Sequence, residues 1–182
     1  MIKRIRSITF IVLIITNPLS SDQRIINDPT LIIPGIGAER ALVGESVLNL
    51  ENIYHGDLFQ ISKFDEKKNI LKDIFNIPTG PMIFFDTINN FVENKIIIFS
   101  FKNSITAIAG FNRGRVTIDT ISLDKGIEYF IFNYGNHGLL IMNHEKGKIY
   151  VYSKIGIALF KEKNSDMIDM YLIFNCKMQS DH

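Results

Sequence analysis

Apolar positions recur with helical spacing at two places in the chain. In "GIGAERALVGESVLNLENIYHG" (35–56), Val43, Val47, Leu50 and Tyr54 fall at i, i+4, i+7 and i+11, and Gly56 follows as a stop. In "ISLDKGIEYFIFNYGN" (121–136), Leu123, Ile127, Phe130 and Tyr134 repeat that spacing 80 residues later, with Gly135 next. Each stripe occupies one face, so the pattern predicts two helices, 43–55 and 123–134, each laid against a flat surface. Runs rich in β-branched and aromatic residues supply that surface. "PMIFFDTI" (81–88), "NKIIIFSF" (94–101) and "SITAIAGF" (104–111) follow the first helix; "GKIYVYSK" (147–154), "GIALFK" (156–161) and "MIDMYLIF" (167–174) follow the second. Short polar turns separate them, as in an antiparallel meander.

The expected fold is therefore α+β: two tandem helix–antiparallel β-meander repeats, 35–111 and 112–182, with the helices on one face of a sheet. F-x-x-K-N-S occurs at Phe99–Ser104 and again at Phe160–Ser165, between the second and third strand of each half. Lys102-Asn103 and Lys163-Asn164 suit turns, because Asn tolerates positive φ and Ser hydrogen-bonds locally. The motif repeats at 61 residues, not 80, which assigns about 19 extra residues to 58–80 of the first half. A rival register pairs "KIIIF" (95–99) with "MYLIF" (170–174) and misaligns the turn.

Ahead of these halves, "MIKRIR" is cationic, "ITFIVLIIT" (8–16) is apolar and "NPLSS" adds a turn and small residues. That order predicts a signal peptide over 1–21, cleaved after Ser21. The apolar run has about half the roughly 20 residues needed to span hydrocarbon as a helix; the alternative is an uncleaved anchor. No Cys lies nearby, so the expectation is an exported protein, periplasmic or extracellular and not lipid-anchored, whose mature chain has no transmembrane span. Residues 22–34, punctuated by Pro29 and Pro34, read as an extended leader.

The order of stripe helix, Tyr/Gly stop and three strands, with "GIEYFIFNYG" and "GIALF" carrying most of the pattern, resembles two groups of exported helix-plus-three-strand modules. They are the lipoprotein of the outer-membrane β-barrel assembly machine (the SmpA type) and the tandem-repeat β-lactamase inhibitory protein. The resemblance implies binding of protein through a concave sheet face and its loops, and brings no catalytic residues. Lacking a lipidated Cys, the chain departs from the assembly lipoproteins.

Charge narrows the partners. Twenty Lys and Arg against nineteen Asp and Glu give net +1, with no field for nucleic acid. "PGIGAER" (34–40) offers G-x-G but has Arg40 where a dinucleotide fingerprint needs a third Gly, so it reads as a loop into the first helix. No G-x-S-x-G surrounds Ser46, and the single Cys176 excludes an internal disulfide and reads as a small, partly buried residue. No H-x-x-x-H or C-x-x-C is present, so no metal or other cofactor is expected. "KFDEKK" (63–68), with Asp65 and Glu66, mixes signs and reads as a solvated turn. What remains is aromatic: Tyr129 and Phe132 lie off the buried stripe, while Tyr150 and Tyr152 alternate on one strand. These four are the candidate partner-binding residues, with packing between the halves as the other reading. The leading functional expectation is a non-catalytic protein-binding or envelope-associated module; the alternative is a small secreted hydrolase with a dispersed site, His137, His144 and Glu145.

Overall fold

A computed structural model describes residues 28, 30–50, 61–63, 74, 87–91, 96–117 and 119–176. The signal segment, residues 22–27 of the leader, residues 51–55 of the first expected helix and 81–86 of the first expected strand lie outside these, as do Asp65 and Glu66.

The expected α+β fold of paired helices on a sheet is not what forms: the protein is mostly β. Among the described residues its large sheet has eight strands, β4 (Ile61–Lys63), β5 (Thr87–Phe91), β6 (Ile96–Phe101), β7 (Ser104–Phe111), β9 (Leu139–His144), β10 (Gly147–Tyr152), β11 (Ile157–Glu162) and β12 (Met170–Phe174). A second sheet is built from β1 (Leu31–Ile33), β2 (Gly37–Ala38), β3 (Ala41–Leu42) and β8 (Val116–Thr117). The large sheet runs β4-β5-β6-β7-β12-β11-β10-β9, two meanders joined where β7 pairs antiparallel with β12. That junction is buried on both faces, which is why its strands read as nearly unbroken apolar runs.

The expected first helix does not begin at Val43. Val43 and Gly44 turn out of β3, Gly44 takes φ 96°, and its N–H donates to Ile105 O at 2.7 Å. Residues Val47–Asn49 form one 3-10 turn, capped by the Ser46 hydroxyl accepting from Leu48 N. The expected second helix is split. A 3-10 turn, Leu123–Lys125, is followed by Gly126 at φ 84° and then by α1, Ile127–Tyr134. Gly126 is required there, because a Cβ would stand 2.5 Å from the Asp166 carbonyl oxygen. The stripe itself is read correctly in burial: Leu123, Ile127 and Phe130 are buried and Tyr134 is half-buried. No helix among the described residues is long and apolar enough to cross a membrane.

The stretch "PGIGAER", expected as a loop into the first helix, turns out differently. Leu31–Ile33 is a strand, and the G-x-G stretch is a β-hairpin whose two-residue tip, Glu39–Arg40, has φ 54° and 66°. Both central residues at positive φ make a type I′ turn, the form that matches strand twist. The echoed motif gives a similar turn once: Lys102 and Asn103, at φ 50° and 65°, join β6 to β7. Lys163 and Asn164 instead lie in the longer 163–169 connection and are not left-handed.

Two cores flank the large sheet. One gathers Ile98, Ile108, Leu159, Tyr171 and Ile173 with Ile32 and Ala38 of the small sheet and Ile127 and Phe130 of α1. The other gathers Ile97, Phe99, Ala109, Val151, Phe160 and Leu172 around Ile74. The small sheet meets the large one through a buried polar contact. Tyr171 Oη donates to Glu39 Oε1 at 2.6 Å, and Arg115 pairs with the same carboxylate. Gly110, across from Tyr171, leaves room for the ring, since a Cβ there would lie 2.6 Å from its hydroxyl oxygen. Asn112 steadies the arginine loop: its Nδ2 donates to Ile168 O at 2.8 Å and its Oδ1 accepts from Arg115 N at 3.2 Å.

Burial pushes the Glu39 carboxyl above its ordinary 4.5, against the pull of the Tyr171 hydrogen bond and the Arg115 charge. A raised folded pKa means the fold binds this proton more tightly than the unfolded chain. Its stabilising contribution is whole below pH 4.5 and is lost as pH rises through the folded value. Urea denaturation across pH should therefore show the stability of wild type, relative to Glu39→Gln, falling as pH rises. Tyr171→Phe removes the donor from a buried acceptor and should lower stability by about 1–3 kcal/mol in the same assay.

Candidate functional site

The strand β9, "LLIMNH", is one of the two edge strands of the large sheet and, among the described residues, pairs with β10 alone. Its N–H and C=O groups point alternately toward β10 and away from it. Leu139 N–H turns back to Asn136 O at 3.2 Å, so by alternation Ile141 and Asn143 also direct their backbone groups outward. Edge strands are ordinarily guarded by charge, proline or a bulge. β9 holds no Lys, Arg, Asp, Glu or Pro, its register with β10 is unbroken, and Leu140 and Ile141 are 49% and 52% exposed.

Beside this edge lies a cleft of about 500 Å³, lined by Asn143, Lys148, Tyr150, Lys161, Lys163 and, from α1, Glu128, with His144, Gly147 and Glu162 at its end. Strand alternation explains the lining. Lys148 and Tyr150 share the α1-facing side of β10 with Tyr152, while Ile149 and Val151 enter the opposite core. Asn143 pairs with Lys148, and Lys148 with Lys161, so one row crosses three strands. No carboxylate of the described residues forms an ion pair with Lys148, Lys161 or Lys163.

The four candidate aromatics divide. Tyr150 and Tyr152 are buried. Tyr152 donates to Gly135 O at 3.1 Å, packs on Phe130 at 5.5 Å between centroids, and has its phenol pushed up to about 12 by burial. Tyr150 also lines the cleft, its pKa raised by burial and by the Glu128 carboxylate. Tyr129 and Phe132 are outside the core, 43% and 84% exposed. Glu128 and Phe132 are one helical turn apart, so Phe132 continues the flank whose first turn lines the cleft.

The hydrolase constellation does not gather. His137 precedes β9 and His144 ends it, with a strand rise of about 3.3 Å per residue between them. His144 enters the cleft lining, and His137 and Glu145 do not. His144 accepts from Lys146 N through Nδ1 at 3.2 Å and sets its ring edge-on to Phe160. No group of three His, Cys, Asp or Glu capable of holding a metal occurs among the described residues. Cys176 is half-buried just past β12.

Sequence reasoning missed β9 and the lysine row. The signal was present in "GLLIMNHEKGKIYVY": an apolar run and a β-rich run around a short polar turn, which is a hairpin pattern. Because Lys148 and Lys161 are directly opposed, Lys161→Glu should raise stability in low-salt urea denaturation by about 0.2–1 kcal/mol. That gain should shrink in 1 M salt, where the Debye length is about 3 Å.

The chain matches no family model, no curated protein and no solved structure, so its resemblance to exported binding modules rests on the quoted residues alone.

Proposed function

We propose that the protein is an exported, non-catalytic binding module that takes an extended segment of a partner protein, or of a protein component of the envelope, along β9. The segment becomes a ninth strand of the large sheet. The observation that carries this reading is the unguarded edge: outward backbone groups at Ile141 and Asn143 with exposed apolar side chains at Leu140 and Ile141. Main-chain hydrogen bonds then supply affinity, and alternate side chains supply selectivity. Phe132, at 84% exposure, offers an apolar anchor on the helix beside the cleft. Export is supported by the cationic, apolar and small-residue order of residues 1–21.

Ile141→Pro tests the reading with little disturbance to the β10 ladder, since proline is tolerated where an edge N–H faces solvent. Wild type immobilised against an envelope extract should hold a stoichiometric partner, and Ile141→Pro should retain less than about a tenth of it, a loss of roughly 1.4 kcal/mol. Circular dichroism should show the variant folded. Equal retention by folded Ile141→Pro, or recovery of wild type with no partner, would overturn the proposal.

A further inference from the structure

Strand addition at β9 leaves the neighbouring lysines without a role. Lys148 and Lys161 stand directly across from each other on the α1-facing side, an arrangement that destabilises a sheet. Lys163 joins them in the cleft wall. The carboxylate facing them, Glu128 of α1, is not in ion-pair contact with any of the three. Glu162, the next residue of β11, also lines the cleft, so two carboxylates stand there against three lysines. Among the described residues no ion pair ties down these lysines, and the lining keeps one positive charge in excess, which favours an anion there.

The geometry also states where that anion comes from. Asn143, the outermost member of the row Asn143–Lys148–Lys161, lies on the strand that the partner would pair. Strands are spaced about 4.8 Å apart, so a residue added opposite Asn143 has its backbone about 10 Å from that of Lys148. A carboxylate side chain reaching inward and a four-carbon lysine stem reaching outward close that gap. Two residues along the same face, the added strand lies opposite Ile141, which is 52% exposed and apolar.

Resting on the strand-addition reading, we infer that the partner segment carries Asp or Glu two residues from an apolar residue. The apolar side chain covers Ile141, and the carboxylate is held over Asn143 by Lys148, with Lys161 one strand further on adding its charge. In an antiparallel added strand the acid precedes the apolar residue; in a parallel one it follows. The spacing is the same in both, and the order reports the direction of the bound chain.

A displayed library of random twelve-residue peptides, selected on the full chain, tests this. Wild type should enrich extended peptides with an acid and an apolar residue at i and i+2, and Lys148→Gln/Lys161→Gln should enrich apolar alternation without the acid. Titration of one selected synthetic peptide should show about tenfold weaker binding after its acid is changed to the amide, close to the energy of one charge-assisted hydrogen bond. On the double variant that difference should vanish. Peptides enriched with no acidic preference, or with a preference unchanged in the double variant, would overturn the inference and leave strand addition standing. Failure of wild type to enrich any peptide would remove strand addition itself, and the inference with it.

Discussion

The hydroxyl of Tyr171 on the carboxylate of Glu39 joins two sheets whose strands come from distant parts of the chain. Much of the surrounding backbone is arranged to allow it. Gly110 gives up a side chain so that the phenol ring can lie across β7. Glu39 occupies a left-handed turn position that an L residue ordinarily avoids, and in exchange its carboxylate is carried into the core. Arg115 is delivered to the same oxygen by a loop that Asn112 anchors to the segment before β12. Apolar packing alone tolerates small slides between layers. A donor and an acceptor meeting inside the core set one relative position, and the burial that weakens the carboxylate's charge makes a misplaced partner expensive.

Strand positions were largely legible because β6, β7, β10, β11 and β12 are made of β-branched and aromatic residues between short turns. The helices were less so, for a physical reason that differs in each case. Val43, Val47 and Leu50 have helical spacing, but Gly44 is committed to a bond with Ile105, a contact that no local pattern contains. The 123–134 stripe predicts burial correctly and continuity wrongly, because the backbone approach of Asp166 at Gly126 is also nonlocal. The glycine spacing of "PGIGAER" excludes a nucleotide loop without revealing its use: Glu39 and Arg40 form a hairpin tip, and the presence of Tyr171 and Arg115 explains an acidic residue buried there. At the candidate site, Tyr150 stands out in the sequence for its aromatic surface. Its place is in the floor of a cleft, between buried stripe and lysine row, which depends on which strands lie beside β10.

The two ends of the large sheet's second meander are treated very differently. β12 is buried on both faces and closed by β7, whereas β9 has open backbone groups and half-exposed aliphatic side chains. Between them the lysine row forfeits some sheet stability, since like charges oppose each other where a neutral pair would pack better. Such local inconsistency between sequence and fold tends to collect where a protein meets something else. Here it collects within one strand of the open edge.

The mirrored strand order has a temporal side. β7 is apolar along most of its length and finds its second neighbour, β12, only after some sixty further residues of chain. During synthesis, therefore, the first meander is complete in its own turns while its inner strand is still an unpaired edge of the kind that recruits other chains. Closing the seam converts an adhesive apolar strand of the growing chain into a buried one, and leaves β9, the strand beginning the second meander, as one edge of the finished sheet.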